Sequence, residues 1–220
     1  FFFKQKTAYE IPKRDWSSDV CSSDLVDQCA SGKYQVKVTG EIFDRLGMTS
    51  TVPGEDLADG TSPARRLYSA DRISRYVSVL GQVATPYRVD TRGRPTASSY
   101  SGKPLTAASG VVSTVRDLAR FDGALDVLVD PGTLDAAWNR LGASPTGLGW
   151  FVQNYNGERI VWHFGLARDA YSSLILKIPS KNLTYILLAN SDGLTAPYSL
   201  ENGDVTKSLF AQVFLKLVLP

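Results

Sequence analysis

The feature that most constrains the fold is a pair of consecutive strand–turn–strand patterns between residues 147 and 190. Residues 147–165 read GLGWFVQNYNGERIVWHFG, in which two β-rich runs flank Asn156-Gly157, the strongest hairpin-turn signal in the sequence. Residues 172–190 read SSLILKIPSKNLTYILLAN and repeat the arrangement around a turn at residues 179–182. We therefore predict consecutive antiparallel strands at residues 148–154, 159–164, 171–178 and 183–190.

Apolar spacing predicts a helix before these strands, over residues 33–46. Val38, Ile42 and Leu46 recur at helical spacing, and Gly47 stands where a left-handed C-terminal cap would lie. A second apolar-spaced stretch runs over residues 73–80. The segments between and after these stretches, residues 49–66 and 85–110, are predicted to be loops, the second of them irregular but ordered by packing.

A further helix is predicted to begin at Thr114, which forms a capping-box-like start with Asp117. Its buried face is predicted to consist of Leu118, Phe121 and Leu125. Helices followed by consecutive antiparallel strands, closed by one more helix, indicate an α+β fold with helices packed on a mainly antiparallel sheet.

The closing helix is predicted over residues 204–218. It is shorter than the roughly 20 residues that span a bilayer and contains Lys207 and Lys216. The pattern favours a helix docked on the sheet over an anchor at a membrane surface.

The first 25 residues, FFFKQKTAYEIPKRDWSSDVCSSDL, have none of these patterns. No apolar stretch follows a basic region, so they do not form a signal peptide. Residues 19–25 back-translate to GAC GTG TGC TCT TCC GAT CT, the 3′ end of a common sequencing-adapter oligonucleotide, and residues 3–11 fit its 5′ end. We interpret residues 1–25 as a translated adapter that adds nothing to the packed core. Residues 26–220 are then the native part, with the true N-terminus and any signal peptide missing.

Charge and cysteine content exclude several classes of function. The chain has 24 basic and 22 acidic residues, and the adapter interpretation removes four of each sign, so the net charge stays at +2. The charges are mixed along the chain, which argues against binding nucleic acid or an anionic membrane. Cys21 lies in the adapter segment and Cys29 is then alone, so neither an intrachain disulfide nor a cysteine metal site is expected.

Four blocks between residues 41 and 190 carry a resemblance to a known family. They are EIFDRLGMTST at residues 41–51, PLTAASGVVSTVRDLARF at 104–121, TGLGWFV at 146–152, and WHFG at 162–165 followed by the strands that end at Asn190. Together, and in this order, they resemble the class C β-lactamases and related penicillin-binding-protein-like serine hydrolases. The resemblance implies a partial β-lactamase/transpeptidase-like fold without its N-terminal part. It also implies a periplasmic or extracytoplasmic location, although the compartment itself stays unknown.

The resemblance also implies a chemistry. In that family the serine of a Ser-x-x-Lys motif attacks a carbonyl, while the lysine and the tyrosine of Tyr-x-Asn manage the proton. A Lys-Thr-Gly or His-x-Gly motif lines the opposite wall, and the next residue supplies an oxyanion N–H. No metal or organic cofactor takes part, and the expected substrate is a small molecule or a peptide.

Carried over to this sequence, the third motif is His163-Phe164-Gly165 and the oxyanion donor is the N–H of Leu166. Phe164 and Ser109 are assigned to substrate binding, since Ser109 falls where class C enzymes have an active-site aromatic residue. Other interpretations stay open: His163 as a half-buried strand residue, and Ser109 as a loop hydroxyl. Gly165 would let a substrate approach the strand closely because it has no Cβ.

The sequence departs from the family pattern in two ways. Ser-x-x-Lys does not occur, and Tyr171-Ser172-Ser173 resembles the second motif but comes after the third. The small residues usual after the third motif are replaced by residues 168–170, Arg-Asp-Ala. An esterase, a D-amino-acid peptidase or another amide hydrolase therefore fits as well as a lactamase.

These observations predict the C-terminal part of a serine hydrolase that acts by acyl-enzyme chemistry on an amide, ester or β-lactam. The fragment itself is expected to be inactive, because both upstream motifs would precede residue 26. The main alternative is a non-catalytic penicillin-binding-like or scaffold domain with decayed motifs. A third interpretation is an α+β binding domain in which the similar sequence blocks occur by chance.

Overall fold

The structure is a computed structural model that describes residues 33–220. Its centre is an antiparallel sheet of four strands in the order β5-β6-β7-β8. The strands are β5 (Phe151–Tyr155), β6 (Glu158–Ala167), β7 (Tyr171–Ile178) and β8 (Leu183–Ala189). The predicted α+β class and the predicted run of antiparallel strands are confirmed. The largest boundary differences are at two strands, since β5 begins at residue 151 instead of 148 and β6 continues to 167 instead of ending at 164.

Residues that tolerate a left-handed backbone make the turns of this sheet. Asn156 and Gly157 have φ values of 48° and 81°, the positive pair that a tight hairpin turn with right-handed strand twist requires. Asn182 follows the short 3₁₀ turn Pro179–Lys181 with φ of 48°. The predicted turns at both positions are confirmed. The turn between β6 and β7 places Asp169 at φ of 60°.

The larger core lies between one face of this sheet and the C-terminal helix α6 (Leu209–Val218). Its fully buried side chains include Trp162 in β6 and Leu215 in α6. The prediction of a helix from residue 204 is wrong at its start, because Ser208 caps α6 by accepting from the N–H of Ala211. Residues before the cap form the separate 3₁₀ turn Val205–Lys207.

Short helices precede the sheet. They are α1 (Tyr34–Val38), which continues as the π-helix Thr39–Asp44, α2 (Ala70–Leu80), α3 (Val115–Asp122), α4 (Leu125–Leu128) and α5 (Pro131–Ala137). The single helix predicted over residues 33–46 is therefore half α and half π. The helix predicted from Thr114 is confirmed with its cap, but it ends at Asp122, so Leu125 belongs to the next helix.

A second, smaller core lies under α2. Val52, Leu57, Ile73, Tyr76 and Leu80 form it, and all five are buried. Helical spacing explains why the last three meet, since they lie on one face of α2.

Two small ladders organise the loops. Strand β1 (Val52–Pro53) pairs with β4 (Val111–Val112), and β2 (Tyr87–Val89) pairs with β3 (Pro95–Ala97). The prediction that residues 85–110 are irregular is therefore wrong for residues 87–97. Asp90 stabilises the β2–β3 turn, because its side chain accepts hydrogen bonds from the N–H groups of Arg92 and Arg94.

A buried ion pair joins α3 to the face of the sheet opposite α6. The ammonium of Lys177 in β7 lies 3.0 and 2.9 Å from the two carboxylate oxygens of Asp122. The hydroxyl of Thr184 in β8 donates to Asp122 at 2.7 Å. Both charged side chains are nearly buried, so this triad fixes the position of α3 on the sheet.

Two further predictions concern parts of the chain away from these elements. Within residues 33–220 no helix is both long and apolar enough to cross a membrane. Residues 1–25, interpreted as a translated adapter, lie outside the described residues.

Candidate functional site

Strand β6 carries the sequence-predicted site, with His163, Phe164, Gly165 and Leu166 in succession. Their side chains alternate between the two faces of the sheet. Phe164 packs its ring against the core on the α6 side, while His163 lies on the opposite face and is exposed. The two rings nevertheless lie near each other, with centroids 6.1 Å apart and planes at 26°.

Hydrogen bonds outside the sheet show which backbone groups of β6 point away from β7. The N–H of Val152 in β5 donates to the carbonyl of Pro145 at 2.9 Å, so the backbone groups of Val152 point away from β6. Val152 is paired with Val161, whose own groups must then point to β7. This direction alternates along an antiparallel strand. The N–H and C=O groups of Phe164 and Leu166 consequently point away from β7.

Strand β5 ends before it reaches these groups. It begins at Phe151, which pairs with Trp162, and the residues that precede Phe151 turn away from β6. Within the described part of the chain, no strand is paired with residues 163–167 on that side. The N–H of Leu166, assigned from the sequence as the oxyanion donor, therefore lies on an open strand edge, and the Leu166 side chain is itself 36% exposed.

The surroundings of His163 favour the neutral form of its imidazole. Partial loss of water around the ring lowers the pKa of His163 below its ordinary value of 6.5, and an interaction with the backbone of Phe164 opposes this shift. The ring of Phe151 lies 6.1 Å from the imidazole, centroid to centroid. The residue as a whole stays exposed, so the neutral ring can still contact a ligand.

Gly165 is packed on its neighbour in β7. A Cβ at this position would lie 2.5 Å from the hydroxyl oxygen of Ser173, its cross-strand partner. The carbonyl of Gly165 accepts from the hydroxyl of Thr195 at 3.2 Å. Because Gly165 has no side chain, it does not project from this face of the sheet between His163 and the end of the strand.

The turn after the motif is built without the small residues that class C enzymes have there. Ala170 is fully buried, and its N–H donates to the carbonyl of Ala167. The N–H of Asp169 donates to the carboxylate of Asp192, and the carbonyl of Asp169 accepts from the hydroxyl of Ser98. These bonds hold Asp169 in its left-handed conformation in place of a glycine.

The other assigned residues lie apart from β6 in their recorded contacts. Ser109 is exposed before β4, and its N–H and carbonyl bond to Thr106. Asn190, at the end of β8, donates to the carbonyl of Thr85 and accepts from the N–H of Tyr87. These bonds tie the end of β8 to residues 85–87, and among the residues described no contact joins Ser109 to His163.

Sequence reasoning noted Tyr171 only as part of a misplaced resemblance to the second motif, and it did not mention Tyr100 or Glu55. The three come together at the end of β6. Tyr171 was interpreted as an ordinary strand residue, and the other two stand in predicted loops. No motif marks them, because they are brought together only by the docking of residues 98–103 against the sheet. Among residues 33–220 no group of His, Cys, Asp and Glu side chains has an arrangement that could hold a metal ion.

Comparisons with known proteins agree with this architecture. The structure is similar to the crystal structure of a penicillin binding protein from Bacillus halodurans, with a TM-score of 0.52 and 18% sequence identity. The likeness covers 77% of this chain but 49% of that protein, so this chain spans about half of its length. At such low identity it concerns the fold alone. No curated protein sequence matches the chain.

The comparison with sequence families is more specific. The profile of the family described as Beta-lactamase matches residues 3–209, which is most of the chain. The family resemblance found in the four sequence blocks is therefore confirmed, and the partial fold agrees with it. This chain belongs to the β-lactamase family.

Proposed function

We propose that residues 26–220 are the C-terminal part of a serine hydrolase that forms an acyl-enzyme with an amide, ester or β-lactam. Membership of the β-lactamase family supports a serine-hydrolase type of function and a small-molecule or peptide substrate. The finer proposal depends mainly on one observation, the open edge of β6. There the N–H of Leu166 points outward, immediately after a glycine that keeps the strand accessible.

The proposed roles follow from this edge. A serine from the part of the protein that precedes residue 26 attacks the substrate carbonyl and gives its proton to a neighbouring base. The N–H of Leu166 donates to the oxyanion that forms, together with the N–H of the serine itself. The leaving group departs with a proton, and water then hydrolyses the ester bond to the serine.

His163 is proposed to line the site as a neutral imidazole. Because its pKa is lowered, His163 adds no positive charge to the site, where a carbonyl oxygen becomes negative only transiently. A neutral ring can donate one hydrogen bond to a substrate carboxylate or carbonyl and accept another. Phe164 would contribute its outward C=O and N–H, which bind an extended substrate as an added strand.

The experiment is performed on the complete gene, recovered by re-sequencing across residue 25. Hydrolysis of nitrocefin and of p-nitrophenyl acetate is measured for the full-length protein and for its His163→Ala variant. We expect turnover of at least one substrate and a loss of about 10–100-fold in kcat/KM for the variant, typical of a removed site hydrogen bond. A complete gene without Ser-x-x-Lys and Tyr-x-Asn, and without turnover, would favour the non-catalytic scaffold.

A further inference from the structure

A cluster of three half-buried side chains lies where β7 begins, beside the end of β6. Tyr171 begins β7 opposite Ala167, and its side chain lies on the same face of the sheet as His163 and Gly165. From the spacing of strands and of residues along them, its Cα lies about 8 Å from that of Gly165. A substrate group bound beside Tyr171 would therefore lie about two residue lengths from Gly165, on the same face of the sheet.

Two aromatic rings form one side of the cluster. The rings of Tyr100 and Tyr171 meet edge to face, with centroids 5.6 Å apart and planes at 83°. The hydroxyl of Tyr171 donates to the carbonyl of Ala84 at 2.9 Å, which fixes its ring. Burial raises the pKa of both phenols, so both remain neutral at physiological pH.

The third member is Glu55, at the start of a 3₁₀ turn. Its N–H donates to the carbonyl of Lys103 at 3.1 Å, and a Cβ on Gly102 would lie 3.1 Å from its own Cβ. The loop that carries Tyr100 is thereby held against it. The charge of Glu55 is close enough to raise the pKa of both Tyr100 and Tyr171.

The carboxylate of Glu55 has no hydrogen bond or salt bridge from any side chain of residues 33–220. Loss of water around it raises the pKa of Glu55 above its ordinary value. A desolvated carboxylate beside two aromatic rings is stabilised by a soft, weakly hydrated cation, which gains from both the negative charge and the ring faces. An anion would be repelled, and one carboxylate without further oxygen ligands does not suit a small divalent ion.

We propose that Glu55, Tyr100 and Tyr171 form a binding site for an ammonium group, at the end of the sheet face that carries His163 and Gly165. That this group belongs to the substrate of a hydrolase rests on the proposed function, whereas the binding itself does not. The inference narrows the substrate class to amides or esters that carry a positively charged amine about two residue lengths from the carbonyl.

The test uses choline, whose cation is permanent, and its neutral isostere 3,3-dimethylbutan-1-ol. Binding of each to the 220-residue chain is measured by ligand-observed NMR titration. We expect choline to bind about tenfold more tightly than the neutral compound, given the usual strength of a partly desolvated cation–π and charge contact. Equal binding of the two compounds would overturn the proposal.

Variants locate the site. Glu55→Gln should remove the preference for choline, while Glu41→Gln, the same change at an exposed residue on the first helices, should leave it intact. Tyr171→Phe keeps a ring and should retain most of the preference, but Tyr171→Leu should lose it. Preference retained in both Glu55→Gln and Tyr171→Leu would overturn the proposal.

Circular dichroism verifies that each variant is folded, and the Tyr171→Phe and Tyr171→Leu pair keeps the test decisive if Glu55→Gln unfolds. The choline assay needs no nucleophile, so its result is independent of hydrolysis. Hydrolysis by the full-length protein with no choline preference would overturn this inference alone. A choline preference in a protein that never hydrolyses would support the site and count against the proposed function.

Discussion

His163 is the only histidine among the 220 residues, which gives one unambiguous NMR signal for the candidate site. Because desolvation lowers its pKa, we expect the imidazole Cε1 proton to titrate with a midpoint below 6.5. A proton NMR titration of the folded chain measures this directly. A midpoint at or above 6.5 would contradict the described surroundings of the ring.

The same shift has a consequence for stability. The unfolded chain takes up the proton of His163 near pH 6.5, before the folded chain does, so this residue makes the folded state less stable as pH falls through 6.5. We expect this contribution to the pH dependence of urea unfolding to disappear in His163→Ala. An identical pH dependence in that variant between pH 7 and pH 5.5 would show that the pKa is the same in both states.

Gly147 is a position where a single added methyl group should be strongly destabilising. A Cβ there would overlap the backbone carbonyl oxygens of Ala137 and Asn139, which cannot rotate away as a side chain can. We expect Gly147→Ala to cost about 1–3 kcal/mol in the free energy of unfolding, measured by urea denaturation. Gly60→Ala is the matched control, since a Cβ at Gly60 meets no atom within 4 Å. Equal stability of the two variants would contradict the described packing.

At this scale the sequence predicted residues that belong to a motif and missed those brought together by folding. His163, Gly165 and Leu166 were identified because they are consecutive and follow a recognisable strand. Glu55 and Tyr171 are 116 positions apart in the numbering. No local pattern could join them, because their proximity depends on how the loop around Tyr100 docks. Ser109 was assigned from the family resemblance alone and stays a prediction.

At the scale of secondary-structure elements, the most specific prediction about the site concerns β6. The alternation of its hydrogen bonds places the N–H groups of His163 and Gly165 in the ladder with β7, and those of Phe164 and Leu166 on the open edge. We expect slow amide hydrogen exchange for the first pair and fast exchange for the second, measured by NMR. Slow exchange at Leu166 in the 220-residue chain would mean that its N–H is already bonded and cannot serve an oxyanion.

The prediction for packing between elements concerns the buried ion pair of Lys177 and Asp122. Asp122→Ala leaves the Lys177 ammonium nearly buried without its partner, which should cost about 3–5 kcal/mol in unfolding free energy. The double variant Asp122→Leu with Lys177→Met removes both charges and should cost less. Urea unfolding of both variants measures the difference. A double variant less stable than Asp122→Ala would show that the pair contributes more than it costs in desolvation.

The elements were predictable where turn chemistry is local. Asn156-Gly157 allowed the first hairpin to be recognised because few residues adopt two successive positive φ values. The β2–β3 hairpin was missed, since its strands have three residues each and its turn depends on the Asp90 side chain. The extension of β6 to Ala167 was missed because Gly165 resembles a strand end, although here it is a site of close packing.

At the scale of the whole molecule, two cores lie in residues 33–220, one under α6 and one under α2. The ion pair of Lys177 and Asp122 and the contacts of Tyr87 and Tyr171 connect the helical part to the sheet. The sequence blocks predicted the family correctly because their order is preserved over most of the chain. The activity does not follow from the family, since the chain spans about half the length of the similar penicillin binding protein.

The central claim is that this chain has the oxyanion edge of a serine hydrolase but not its nucleophile. The direct measurement is hydrolysis of p-nitrophenyl acetate and nitrocefin by the 220-residue chain, followed by intact-mass spectrometry. We predict no turnover above that of buffer and no covalent adduct, because Ser-x-x-Lys does not occur in the sequence. Turnover accompanied by an acyl adduct on a serine after residue 25 would contradict the account and place the nucleophile within this chain.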